Sequence, residues 1–63
     1  MRMNIMFGLD HVEADQRNEE VQRLLVALCG SVHKAETPLV VGDTIILRDA
    51  NGNRVGVADV FKD

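Results

Sequence analysis

The chain predicts an α+β fold: one amphipathic helix packed on a small, three- to four-stranded, mainly antiparallel sheet, in the order β-α-(β)-β-β. Three observations carry this reading. Residues 44–58 hold two runs rich in β-branched residues around the turn cluster Asp49-Ala50-Asn51-Gly52-Asn53, the signature of a C-terminal hairpin. Val21, Leu24, Leu25, Leu28 and Val32 recur at helical spacing. Met3-Asn4-Ile5-Met6-Phe7 alternates as a short strand before Gly8. A helix with one apolar stripe and a sheet with one apolar face bury both by packing together.

The first strand places Met3, Ile5 and Phe7 on one face. The helix that follows has several candidate starts. Asp10 with Glu13 three residues on fits a capping box, and Asp15 and Asn18 are rival caps. The acids Asp10, Glu13, Asp15, Glu19 and Glu20 suit a helix N-terminus, where the macrodipole favours negative charge. Gly30 reads as the left-handed residue that ends a helix spanning about Asp15 to Cys29. Ser31 to Thr37 is open between helix, strand and loop, and Pro38 ends whatever precedes it. Leu39-Val40-Val41 forms the optional short strand, and Gly42-Asp43 a turn.

Two registers are open to the hairpin. A two-residue turn at Asn51-Gly52 sets Arg48 opposite Val55 and Ile46 opposite Val57. A type I turn opening at Asp49, with Gly52 in the left-handed position, sets Leu47 opposite Val55 and Ile45 opposite Val57. The second is preferred, because it matches apolar residues on one face. It costs a like-charge pair, Arg48 opposite Arg54. The expected core is Ile5, Phe7, Val21, Leu25, Leu28, Leu39, Val41, Ile45, Leu47, Val55 and Val57. The outer face then carries Ile46, Gly56 and Ala58. Small residues weaken a strand unless something approaches closely, so these three are the candidate face for a second chain.

With 63 residues the chain makes a single domain, 1–63, of marginal stability. Domains this small often rely on a disulfide, a metal or an oligomer. Its one Cys, Cys29, allows no internal disulfide and fits a reducing, cytoplasmic setting. A homodimer is the expected support. No signal segment is read in the apolar start at Met1 to Phe7, and no run approaches a membrane span.

Little in the sequence points to chemistry. His11 near Asp10 and Glu13, and His33 four residues from Cys29, match no metal signature, and no metal or cofactor is expected. A triad of Cys29, His33 and Glu36 is formal only, since a helical Cys is usually an inert small apolar residue. Glu19 and Glu20 are adjacent and point apart on a helix. There is no glycine-rich phosphate loop.

The expected function, reached by elimination, is a small non-enzymatic protein-binding module. It would be regulatory or inhibitory, in the manner of small accessory proteins of viruses or plasmids, and would occupy a surface on a larger protein. Its candidate partner surface is Glu19, Glu20, Arg23 and Val26. The alternative is a nucleic-acid ribbon with Arg48, Asn51, Asn53 and Arg54 at its tip, since Arg and Asn read G and A in the major groove. Against it stand a net charge of −3 and the absence of Trp and Tyr for base stacking.

Overall fold

The computed structural model describes all residues, Met1–Asp63. Strand β1 spans Arg2–Phe7, helix α1 Arg17–Lys34, β2 Thr44–Arg48 and β3 Arg54–Phe61. A single 3-10 turn, Ala14–Gln16, leads into α1. The sheet order is β1-β3-β2, and both pairings are antiparallel. The α+β arrangement expected from the sequence is therefore present, with three strands.

Helix α1 departs from its expected bounds at both ends. Its first turn contains no side-chain cap, and Asp10 lies in a turn outside it. Glu19 and Glu20 stand in that first turn and favour the helix N-terminus electrostatically. Gly30 does not end the helix. The chain stays helical for another turn, His33 and Lys34 complement the C-terminal dipole, and Ala35 turns extended at φ −63° and ψ 131°. Pro38, three residues on, blocks any longer helix by forcing Thr37 from the helical region. Leu39-Val40-Val41 adds no strand. Val40 and Asp43 instead close a turn, with Val40 N–H donating to Asp43 Oδ2 at 3.0 Å and Gly42 at φ 99°.

The hairpin combines the two expected registers. Its turn is the preferred one: Gly52 N–H donates to the Asp49 carbonyl at 3.0 Å, Gly52 has φ 85°, and Arg48 lies opposite Arg54. A β-bulge then shifts the pairing, so that Leu47 faces Gly56, Ile46 faces Val57 and Ile45 faces Ala58. That is the register set aside above. The bulge keeps Val55 against the core while Leu47 stays buried, so both residues of the expected Leu47–Val55 pair face inward although they no longer lie opposite each other.

The core is small. Leu24 and Leu28 of α1 meet Leu47 of β2 and Ala58 of β3, with Phe7, Leu9, Ile45 and Val55 packed around them. Leu24, absent from the expected core, is its most buried member, while the expected members Ile5, Leu25 and Val41 are exposed. The helix leaves the sheet near the hairpin tip and returns the chain to β2 at the opposite end, so it lies along the strands. It covers β2 and β3 and, beyond Phe7, leaves the inner face of β1 open, where Met3 and Ile5 are 38% and 43% exposed.

Candidate functional site

The register moves the expected second-chain face. Ile46 lies on the outer face beside Val57 and Met6. Gly56 and Ala58 lie on the opposite, helix-covered face, and Ala58 is buried in the core. Their small size has an internal cause. A Cβ on Gly56 would collide with Phe7 Cβ and the Met6 carbonyl, and would lie 2.7 Å from Phe7 Cα. The close approach that a strand glycine signals is made by β1 itself.

The expected partner surface divides in two. Glu20 and Arg23 face the sheet side of the helix and form a clamp. Arg23 Nε donates to Glu20 Oε1 at 2.7 Å and Nη2 donates to Oε2 at 3.0 Å. The same Nη2 donates to the Arg48 carbonyl at 2.9 Å, tying α1 to the end of β2. His11 Nε2 donates a short hydrogen bond to Glu20 Oε2 and fixes the β1–α1 connection to the same carboxylate. The Arg23 and His11 hydrogen bonds outweigh desolvation and hold the Glu20 carboxyl at about 2, below its ordinary 4.5. Glu19 and Val26 remain on the solvent side, with Val26 70% exposed.

The sequence reading did not include His11 in this cluster. The available signal was Glu20 itself: it lies one turn before Leu24 and two before Leu28 on the buried stripe. An acid on such a stripe requires cationic or hydrogen-bonding partners.

At the hairpin tip, two of the four polar side chains are engaged within the turn. Arg48 Nη1 donates to the Gly52 carbonyl at 3.1 Å, and Asn53 Nδ2 to Asp49 Oδ2 at 3.4 Å. Asp49 Oδ1 also accepts from the backbone N–H groups of Asn53 and Asn51 at 2.8 and 2.9 Å. Those bonds, the Asn53 one foremost, hold its carboxyl below the usual range. Asn51 and Arg54 are exposed and make no side-chain hydrogen bond.

Because α1 continues through Gly30, Cys29 and His33 stand one turn apart on a shared helical side, both exposed. No three His, Cys, Asp or Glu side chains converge on one point. An open depression of about 360 Å³ lies between the end of β1 and β3, bordered by Met6, Phe7, Arg54 and Val57, and Arg54 is its one ionisable side chain. A second, of about 250 Å³, lies beside the Glu20–Arg23 clamp. No helix is long and apolar enough to cross a membrane.

No protein-family model, curated protein or solved structure matches this chain.

Proposed function

We propose that the chain is a small non-enzymatic protein-binding module, regulatory or inhibitory in kind, that acts as a homodimer and occupies a surface on a larger protein in a reducing, cytoplasmic setting. One observation carries the reading: eleven large apolar side chains stand exposed on a chain of 63 residues. Scattered apolar exposure is ordinary, whereas contiguous exposure marks interaction surfaces. The outer side of α1 around Val26 and Glu19 is the surface left for a partner, since Glu20 and Arg23 are engaged inside the molecule.

The test is affinity capture with the full chain, comparing wild type with Val26→Glu and Glu19→Lys. The wild type should retain a specific protein, and Val26→Glu should reduce its recovery at least about tenfold without loss of helical signal. Equal recovery by wild type and variants, or no specific retention, overturns the reading. Nucleic-acid binding at the hairpin tip is the second reading, supported by the unengaged Asn51 and Arg54. Arg48→Ala with Arg54→Ala should then abolish binding at low salt, and affinity should fall as salt rises.

A further inference from the structure

We infer that a second copy of this chain docks along the open edge of β1, pairing β1 with its own symmetry mate and closing two apolar flanks against each other. The inference rests on the dimeric reading above and says where that dimer forms. Area is the first argument. The chain exposes 4861 Å². A folded monomer of 7.0 kDa is expected to expose about 4,000 Å². The excess, roughly 800 Å², equals what one partner contributes to a standard interface.

Position is the second argument. At about 100° per residue, Val21, Leu25, Cys29 and Val32 fall on one flank of α1, and Arg23 on the other. Arg23 is bound to β2 through the Arg48 carbonyl, so the apolar flank lies on the side of α1 away from that contact. Leu25 and Val32 are 45% and 39% exposed on that flank, and Met3 and Ile5 are 38% and 43% exposed on β1.

The edge supplies the third. Gly8 N–H donates to the Val55 carbonyl at 2.9 Å, so this is a hydrogen-bonded pair. By antiparallel alternation, Phe7, Ile5 and Met3 are the non-bonded partners of Gly56, Ala58 and Val60. Their own N–H and C=O groups point away from β3, into the open. Strand β1 has no proline, no bulge and no inward-pointing charge, the usual guards of an edge. A two-fold axis at Ile5 pairs Ile5 with Ile5 of the second copy and Met3 with its Phe7. The flank residues Asn18, Val21, Leu25, Cys29 and Val32 carry no charge, in a chain of net charge −3, so two copies meet without like-charge contact.

The experiment is light scattering on the full chain across a dilution series, with amide hydrogen exchange read at Ile5. Ile5→Pro removes an edge N–H that β3 does not use, and Leu25→Glu charges the flank without touching β1. Wild type should have about twice the 7.0 kDa monomer mass, with the Ile5 amide protected. Both variants should weaken self-association at least about 30-fold while keeping the helical signal. A wild type that stays monomeric at its highest soluble concentration overturns this inference and the dimeric part of the proposed function, while capture through Val26 is judged separately. A dimer that both variants leave intact overturns the β1 seat alone and directs attention to the outer row of Met6, Val57 and Ile46. If Ile5→Pro does not fold, Leu25→Glu decides.

Discussion

Glu20 shows how one side chain on a helical stripe can join three parts of a small chain. It holds Arg23 on its own helix and His11 in the preceding connection, and Arg23 passes the link to β2. A carboxyl lowered from 4.5 to about 2 on folding stabilises the native state at pH values above 4.5. That contribution is lost as the pH falls from about 4.5 toward 2, where the folded group also takes up its proton. Asp49, also lowered, contributes in the same direction. Urea denaturation at a series of pH values should therefore show stability falling on the acid side, and Glu20→Gln should flatten part of that slope while Asp49→Asn flattens another part. Gly56 gives a second residue-level test. Gly56→Ala drives a methyl group into Phe7 and the Met6 carbonyl, backbone that cannot move without breaking the β1–β3 pairing. It should cost about 3 kcal/mol in denaturant unfolding, whereas Gly8→Ala, with open space around it, should cost far less.

The elements divide into those that local chemistry decides and those that tertiary contacts decide. The type I turn with left-handed Gly52 was legible because Asp49 and Gly52 have few other backbone options. The strand register beyond it was not. Matching apolar residues across the hairpin weighs only two strands, and here the bulge at Val55 lets β3 present Gly56 and Ala58 to the helix and to β1. The existence of α1 was legible from its periodicity, but its end was not: a glycine near the close of an apolar stripe reads as a cap, and only the continued backbone shows otherwise. The stripe also appeared wider than the buried strip. Leu25 and Val32 fit the spacing, yet the helix is turned so that Glu20, Leu24 and Leu28 face inward. The Glu20–Arg23 clamp fixes that rotation, and a hydrophobic pattern alone does not contain it. A testable consequence is that Gly30 is an ordinary interior helix position. A Cβ there meets nothing within 4 Å. Gly30→Ala should stabilise the protein by about 0.5–1 kcal/mol, through the entropy lost by the unfolded chain, and raise Tm by several degrees in a thermal scan.

For the molecule as a whole, size and coverage set the problem. Only six of 63 residues are buried, and a chain of this length buries a smaller share of its unfolded surface than a larger domain does. A single helix packs on the three strands. Here it is anchored to the β2 side by Arg23 and leaves the β1 side uncovered. With a single Cys, no disulfide can compensate within one chain. Association that buries the β1 flank would then be part of the folding free energy, and the apparent stability would depend on protein concentration by mass action. Thermal unfolding followed by circular dichroism should give a Tm that rises with each tenfold increase in concentration. Leu25→Glu should remove that rise, because it charges the flank without entering the core, and its Tm should match that of the wild type at high dilution. A wild-type Tm that is the same at every concentration would instead mean that the Leu24–Leu28–Leu47–Ala58 core holds the chain folded alone, leaving the exposed flank to a partner of a different kind.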